Sequence, residues 1–281
     1  MAGIICVCGA GTMGSGIAQA AAQAGFRTIL YDVNETIIQK AQSTIKRSIQ
    51  ALVEKNKIDQ FLASATLSRL AFTTDISNCI ADIIIEAIIE KKESKTELFT
   101  RLASINSAET ILATNTSSLS VSAIAENIIH PERIIGMHFF NPPVLMKLVE
   151  VVSTNYTNKK TITQIGELAV RLGKTPVFCK DSPGFIVNHV ARPFYIEALR
   201  LAELGLADFE TIDHLIENCG FKMGPFKLMD LIGNDINYAV SCSVYEAMNK
   251  PQRLRPSFIQ EEKVRKNELG KKTGKGYYTY S

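Results

Sequence analysis

The stretch "VCGAGTMGSG", residues 7–16, decides how the N-terminal part of the chain should fold. It places Gly9, Gly11 and Gly14 directly after an apolar run and at the mouth of an alanine-rich helical pattern over 15–24. In this spacing the first glycine permits a tight turn, the second lets a pyrophosphate approach the backbone, and the third allows close helix packing. The helix N-terminus then faces the phosphates. The stretch therefore predicts the strand, turn and helix of a dinucleotide-binding domain.

An acidic residue follows where such a site needs one. Asp32, in "LYDVN", ends the second predicted strand, where a carboxylate accepts hydrogen bonds from the ribose hydroxyls of a dinucleotide. The carboxylate also repels a 2′-phosphate, and no arginine stands at 33–35, so the pattern favours NAD over NADP. Two alternatives stay open at this point: a glycine-rich turn without a ligand, and an FAD enzyme, which uses the same opening.

Short apolar runs alternate with helical patterns along the first part of the chain. Because these runs are apolar on both faces and are separated by helices, they predict a parallel sheet covered on each side. After "KDSPGF" the pattern becomes helical, and Gly205 ends the first long helix. We therefore expect an α/β protein with a Rossmann-like, doubly wound sheet domain over 1–182 and an all-α C-terminal domain over 183–281. The predicted strands are 4–8, 26–31, 70–74, 82–88, 111–115, 133–140, 147–153 and 175–179.

Two of these strands are too close in sequence for a helical crossover. The runs 133–140 and 147–153 are predicted to pair antiparallel, with "NPPVLM" in their loop. Cross-strand partners in a hairpin have a constant sum of residue numbers, and this loop places His138 opposite Glu150. A carboxylate beside an imidazole fixes its tautomer and raises its basicity, so the pair is a candidate general base with its orienting group. A buried salt bridge with a purely structural role is the alternative.

Composition indicates a folded chain without a bias toward nucleic acid. Of the 281 residues, 46% are apolar and 21% are charged, and the net charge of +3 is too small for a nucleic-acid-binding protein. The positive charge is local, since residues 37–57 carry five basic side chains against the single acid Glu54, a net +4. This stretch is either a solvated helix face or a binding surface for a phosphorylated small molecule.

The six cysteines are scattered, without a CxxC pair or histidines at metal-ligand spacing, so we expect no metal site. Cys6 and Cys8 point the same way from one apolar strand and are interpreted as small core residues. A reduced, cytoplasmic setting fits best. No apolar run reaches the roughly 18 residues of a membrane span. The start also lacks the basic region of a secretory signal, so we expect no membrane association.

Six longer motifs together resemble one enzyme family along the full length of the chain. They are "GAGTMGSGIAQ", "ATNTSSLS", "GMHFFNPPVLMKLVEVV", "KDSPGFIVN", "MGPF" and "GKKTGKGYY". They are similar to motifs of the L-3-hydroxyacyl-CoA dehydrogenases, especially the short bacterial 3-hydroxybutyryl-CoA dehydrogenases. The resemblance implies NAD-linked interconversion of a short-chain L-3-hydroxyacyl-CoA and its 3-ketoacyl-CoA, in fatty acid or butanoate metabolism. It also implies a helical domain that contributes to the substrate cleft and forms a homodimer.

The resemblance implies roles for residues at matching positions. His138 is then the catalytic general base, Glu150 its carboxylate partner, and Ser117 and Asn188 the residues that hold the substrate oxygen and thioester. The positions implied to bind NAD are Gly9, Ala10, Gly11, Thr12, Met13, Gly14, Asp32, Glu90, Lys95, Asn115, Ser117, Asn141 and Lys272. Those implied to bind coenzyme A are Ser48, Lys55 and Ser117, the first two on a long amphipathic helix predicted over 36–56.

Two rival functions stay open. A relative that oxidises a free sugar acid, of the gulonate type, has no need of the basic stretch at 37–57. A non-catalytic protein that keeps the nucleotide-binding fold, as lens crystallins of this lineage do, has no need to retain Ser117, His138, Glu150 and Asn188 together.

Overall fold

The computed structural model of the protein describes residues 3–280, which divide into two compact units. The first unit ends at Asp181 and the second begins at Ser182. Among residues 3–280, none of the helices is long and apolar enough to cross a membrane.

The first unit is an α/β domain built on one sheet. Its strands are β1 (Ile4–Cys8), β2 (Arg27–Tyr31), β3 (Leu70–Thr73), β4 (Ile83–Glu86), β5 (Ile111–Thr114), β6 (Ile134–Phe139), β7 (Leu148–Ser153) and β8 (Thr175–Lys180). Its helices are α1 (Thr12–Gln23), α2 (Glu35–Glu54), α3 (Gln60–Ser68), α4 (Lys92–Ile105), α5 (Val121–Ala125) and α6 (Lys159–Arg171). Within residues 3–280 the strands form one eight-stranded sheet in the order β3-β2-β1-β4-β5-β6-β7-β8. The expected doubly wound fold is confirmed.

Neighbouring strands of this sheet pair in parallel, except that β6 and β7 pair antiparallel, as the short connection between them predicted. The strand order reverses at β1, which lies between β2 and β4. In open α/β sheets ligands bind outside the carboxyl ends of the strands at such a switch point. The residues that follow β1, β2, β4 and β5, and the hairpin end of β6 and β7, therefore share the edge where a ligand is expected.

Close backbone approach explains two of the glycines that opened the sequence. Gly9 has φ +102°, and a Cβ on it would lie 2.5 Å from the carbonyl oxygen of Ala87. A Cβ on Gly14 would lie 1.7 Å from the carbonyl oxygen of Gly9, so only glycine lets α1 start against this turn. The helix begins at Thr12, three residues before the predicted start, because Gly14 lies inside the helix for this packing reason.

The second unit is helical, as predicted. Its helices are α7 (Val187–Glu203), α8 (Phe209–Asn218), α9 (Pro225–Ile232), α10 (Asn234–Ala247) and α11 (Phe258–Arg265). Gly205, with φ +65°, follows the end of α7 as expected for a glycine that terminates a helix. An apolar cluster that includes Leu199, Ile212, Phe226 and Met229 joins α7, α8 and α9.

The segment "GKKTGKGYY", residues 270–278, is held against α9 by the buried side chain of Asp230. The N–H groups of Tyr277 and Tyr278 each donate to this carboxylate at 3.0 Å, and the Tyr280 hydroxyl donates at 2.9 Å. A Cβ on Gly276 would lie 2.0 Å from Oδ1 of Asp230, so the approach requires glycine. The glycine spacing of this motif therefore has a structural cause inside the second unit.

Candidate active site

The turn after β1 has the features of a dinucleotide site. No atom of residues 3–280 lies within 4 Å of the place where a Cβ of Gly11 would stand, apart from the chain neighbours of that glycine. The fold itself therefore gives no reason for glycine here, whereas close approach of a phosphate does. No side chain of the described residues caps the N-terminus of α1, so its first N–H groups suit an anion. These residues fit a bound dinucleotide.

Asp32 stands at the end of β2, beside this turn. One carboxylate oxygen accepts a hydrogen bond from the N–H of Ala10 at 2.9 Å, and the other accepts from the N–H of Asn34 at 3.0 Å. The side chain is thus fixed against the glycine-rich turn while its position remains partly exposed. This is the arrangement expected for a carboxylate that accepts hydrogen bonds from the ribose hydroxyls of a dinucleotide.

His138 and Glu150 face each other across β6 and β7. The register pairs His138 with Glu150, as the hairpin spacing predicted, and Nδ1 of the imidazole lies 2.7 Å from Oε2 of the carboxylate. Both side chains are buried, and the His138 ring packs against the Phe140 ring with centroids 4.6 Å apart. A contact through Nδ1 fixes the tautomer and aims Nε2 as the nitrogen that exchanges protons.

The loop after β6, which follows the strand that carries His138, packs against α1. A Cβ on Gly16 of α1 would lie 2.9 Å from Pro143, so the loop packs directly on the helix. The buried ammonium of Lys174 donates to the carbonyl oxygens of Pro143 and Met146 and holds the loop from beneath. Burial lowers the pKa of Lys174. Asn141, the predicted cofactor contact, lies exposed in this loop. The role of Lys174 was not predicted from the sequence, because a lone lysine in "LGKTP" carries no signal.

A charge cluster lies at the ends of β4 and β5, where Lys95 and Glu86 are buried and the Glu90 side chain is 37% exposed. Nζ of Lys95 lies 2.6 Å from Oε1 of Glu86 and 3.2 Å from Oε2 of Glu90. Glu90 Oε1 also accepts the N–H of Ser117 at 2.9 Å and the Thr116 hydroxyl at 2.5 Å. The cluster therefore fixes the backbone at Ser117, the predicted substrate contact.

Two carboxylates of this cluster titrate differently. Burial raises the pKa of Glu86 above its ordinary value, although Lys95 opposes that shift. Burial also acts to raise the pKa of Glu90, but Lys95 and the hydrogen bonds from Thr116 and Ser117 outweigh it, so that pKa is lowered. Glu86 was not predicted from the sequence; its one signal was an acidic residue inside the apolar run "DIIIEAI".

Asn115 ties the end of β5 to the β6–β7 hairpin. Its side-chain oxygen accepts the N–H of Phe139, the residue after His138, at 2.8 Å. Asn115 therefore positions the strand that carries His138, a role that was not predicted from the sequence.

The predicted coenzyme A contacts lie on or next to α2. The helix buries Ile38, Ala41, Ile45 and Ile49, as its apolar period predicted. Ser48 is partly exposed on the helix, and Lys55 is exposed just beyond its end, because α2 stops at Glu54. Ser48 and Lys55 are seven positions apart, about two helical turns, so both lie toward the C-terminal end of α2.

Asn188 and Lys272 belong to the second unit. Asn188 is the second residue of α7, and its carbonyl oxygen accepts a hydrogen bond at 3.0 Å from Nε of buried Arg192. Arg192 also donates to the carbonyl oxygen of Asn237 and, at 2.7 Å, to the Ser241 hydroxyl. It thereby fixes the first turn of α7. Lys272 is half-exposed and forms a two-point ion pair with Asp235 at 2.6 and 2.7 Å.

Comparison with protein families identifies this arrangement. Residues 4–182 match the model of the 3-hydroxyacyl-CoA dehydrogenase NAD binding domain, and residues 184–280 match that of the 3-hydroxyacyl-CoA dehydrogenase C-terminal domain. The chain belongs to the 3-hydroxyacyl-CoA dehydrogenase family. The Gly-rich turn and Asp32 thus lie in the NAD binding domain of this family, in agreement with the resemblance seen in the motifs.

Individual relatives agree with this assignment. The chain is 45% identical over 278 residues to the 3-hydroxyadipyl-CoA dehydrogenase of Escherichia coli (strain K12), covering 98% of this chain and 58% of that protein. A solved 3-hydroxybutyryl-CoA dehydrogenase from E. coli K12 superposes with a TM-score of 0.96 at 45% identity, over 100% of this chain and 60% of that one. A solved (S)-3-hydroxybutyryl-CoA dehydrogenase from Ralstonia eutropha gives a TM-score of 0.94 at 36% identity and covers 99% of each chain. The chain therefore spans less than two thirds of the two E. coli family members and nearly all of the R. eutropha one.

Proposed function

We propose that the protein is an NAD-dependent dehydrogenase that interconverts a short-chain L-3-hydroxyacyl-CoA, such as 3-hydroxybutyryl-CoA, and the corresponding 3-ketoacyl-CoA. One observation carries the proposal: the buried His138–Glu150 pair, 2.7 Å apart, stands at the same sheet edge as the Gly-rich turn. A general base beside a nicotinamide site suits the oxidation of an alcohol.

In this proposal His138 removes the hydroxyl proton of the substrate through Nε2. Glu150, held against Nδ1, keeps the imidazole in the required tautomer and stabilises the imidazolium that forms. NAD, when bound, supplies the acceptor for the hydride. In the reverse direction the protonated His138 returns its proton to the oxygen of the ketone.

Ser117 and Asn188 are proposed to donate hydrogen bonds to the substrate oxygen and thioester. Both are neutral donors, suited to an oxygen that gains charge during the reaction without removing the proton acceptor beside it. The contact of Glu90 with the Ser117 N–H supports this role, because a fixed donor stabilises developing charge without reorganisation.

Ser48 and Lys55 are proposed to bind the coenzyme A part of the substrate. The net +4 charge over residues 37–57 supports a phosphate-bearing ligand rather than a free acid. Asp32 supports NAD over NADP, since a fixed carboxylate repels a 2′-phosphate.

Initial rates of acetoacetyl-CoA reduction test the function directly. We expect turnover with NADH well above that with NADPH, oxidation of L- but not D-3-hydroxybutyryl-CoA, and rates that fall as the acyl chain lengthens. 3-Hydroxyadipyl-CoA is also assayed, because a relative with 45% identity is named as a 3-hydroxyadipyl-CoA dehydrogenase. Turnover of L-gulonate without turnover of any acyl-CoA would instead favour the sugar-acid reaction. NADH binding without turnover of either class would favour a non-catalytic, crystallin-like role.

We also propose that the second unit forms a homodimer and that the protein works in the reduced cytoplasm. Exposed apolar side chains in the second unit, among them Leu204, Leu215 and Phe221, support an interface between copies. The six cysteines, which all lie in the described part of the chain, are free thiols and support a reduced setting. Light scattering should give twice the chain mass, and a monomer at working concentration would contradict the dimer.

A further inference from the structure

Three cysteines of the first unit, which have no part in the proposed reaction, meet in a buried cluster. Cys6 and Cys8 project from the same face of β1 with their sulfurs 3.9 Å apart. Cys79, far along the chain, adds a third sulfur, and the three sulfurs all lie within 4.8 Å of one another. All three side chains are buried. The spacing of the cysteines in the sequence predicted no metal site, and only the fold brings Cys79 to the other two.

The spacing of these sulfurs suits a shared metal ion. Metal–sulfur bonds of about 2.3 Å in a trigonal or tetrahedral site place neighbouring sulfurs roughly 4 Å apart. The 3.9 Å between Cys6 and Cys8 already matches that edge, and 4.8 Å is the upper bound for the others. A small movement of Cys79 would therefore bring all three sulfurs to the separation needed to bind one ion.

The donor set selects the class of ion. Thiolates without oxygen or nitrogen ligands favour soft or borderline ions such as Cu(I), Zn(II) and Cd(II) over Mg(II) or Ca(II). The thiolate is the form of cysteine that binds metal. Hydrogen bonding and burial raise the pKa of Cys6 and Cys8, so ligation must displace their protons into solvent.

Local opening of the segment that carries Cys79 would give an ion access to the cluster. This residue follows a single 3-10 turn, Ile76–Asn78, and its neighbours Asn78 and Ile80 are exposed. Short segments with few buried neighbours open locally at low cost in free energy. Cys79 is thus buried between two exposed chain neighbours.

We propose that Cys6, Cys8 and Cys79 form a binding site for one soft metal ion of the Cu(I), Zn(II) or Cd(II) class, held as thiolates. Ligation releases the thiol protons and involves no redox step. The ion links β1 to the segment before β4, so it stabilises the first unit by mass action.

Titration of the full-length reduced chain with Cd(II) tests the site without substrate or cofactor. The chain used carries Cys179→Ser, Cys219→Ser and Cys242→Ser, so that only the three clustered thiols remain. We expect one ion per chain, an ultraviolet sulfur-to-cadmium charge-transfer band, and a rise in Tm. Adding Cys79→Ala should weaken binding by about 10- to 100-fold or more, whereas restoring Cys219, which is exposed, should leave the affinity of the tight site unchanged.

Equal affinity with and without Cys79, or a bound ion without the charge-transfer band, would overturn the proposal. Should Cys79→Ala fail to fold, cadmium NMR of the chain that keeps the three thiols decides the matter, because the shift reports the number of sulfur ligands. Three sulfurs support the site, and an oxygen-dominated shift overturns it.

Discussion

Nδ1 of His138 lies 2.7 Å from Oε2 of Glu150, and the two residues are direct partners in the β6–β7 register. If His138 is the base, His138→Gln should lower kcat for acetoacetyl-CoA reduction by about 10²- to 10⁴-fold while NADH affinity stays nearly intact. Glu150→Gln should lose activity by a comparable or smaller factor, because the imidazole then lacks its orienting carboxylate. Stopped-flow rates and NADH fluorescence titration measure the two quantities.

The matched control is Glu109→Gln, which removes an exposed ion pair with Lys160 and should change neither quantity. Near-normal reduction by His138→Gln would refute the assignment of the base. Loss of NADH binding in parallel with kcat would point to a structural role for the pair.

Substitutions of two glycines in the Gly-rich turn should have different effects, one on NADH binding and the other on folding. Gly11→Ala adds a methyl where residues 3–280 place no atom within 4 Å, so the fold should persist while NADH affinity falls by about tenfold or more. Gly14→Ala places a methyl 1.7 Å from the Gly9 carbonyl oxygen and should unfold or strongly destabilise the first unit. Circular dichroism and NADH titration distinguish the two effects. Unchanged NADH affinity in a folded Gly11→Ala variant would contradict the proposed approach of the pyrophosphate.

The sequence predicted those parts of the site that depend on local spacing. The register of His138 and Glu150 follows from the hairpin length alone, and the turn at Gly9 follows from a glycine pattern with a steric cause. The predicted start of α1 at Ser15 was wrong by three residues, because propensity disfavours glycine in a helix whereas close packing requires Gly14.

Contacts between segments remote in sequence were beyond prediction from the residues alone. Lys174 reaches the carbonyl oxygen of Pro143, 31 positions away, and no local pattern marks that pairing. Cys79 joins Cys6 only after β4 pairs with β1. Glu86 was hidden in an apolar strand, and its partner Lys95 explains how a carboxylate can be buried there.

Substitution of Lys55 tests the proposed binding of coenzyme A along α2. Lys55→Glu should raise KM for acetoacetyl-CoA about fivefold or more, as expected for a loss of about 1 kcal/mol in an exposed charge contact, with kcat little changed. Lys159→Glu, exposed at the start of α6, is the control with the same charge change. The effect of Lys55→Glu should shrink in high salt. An equal rise of KM in both variants would indicate a general charge effect rather than a site.

Lys95→Met should lower the free energy of unfolding, because the buried Glu86 carboxylate then lacks its cation. Removing the cation leaves Glu86 uncompensated, so the first unit should lose about 3–5 kcal/mol of stability at neutral pH. The pKa of Glu86 is already raised above 4.5, and it rises further without Lys95. A carboxyl whose pKa is higher in the folded than in the unfolded chain stabilises the fold at pH values below its unfolded pKa. That stabilisation is lost as pH rises through the folded pKa. The deficit should therefore be largest at neutral pH and shrink toward pH 4.5.

Urea unfolding of the cofactor-free chain across pH measures this deficit. Glu86→Gln combined with Lys95→Met should recover part of the loss, because no charge is then buried alone. Lys160→Met, which breaks the exposed pair with Glu109, is the control and should cost little. A pH-independent deficit would show that packing, and not the charge of Glu86, causes it.

Glu268 should give the second unit a pH dependence of the opposite sign. Hydrogen bonds from Lys263 and Lys275 lower the pKa of Glu268 from 4.5 to about 2. A depressed carboxyl pKa stabilises the fold above the unfolded value, and the contribution is lost as pH falls toward about 2. Glu268→Gln should therefore cost about 1 kcal/mol at neutral pH and progressively less below pH 4.5. Because the chain lacks tryptophan, circular dichroism during urea unfolding is the readout. Glu262→Gln, whose pair with Lys266 is exposed, should change stability little at any pH; equal behaviour of the two variants would refute the role given to Glu268.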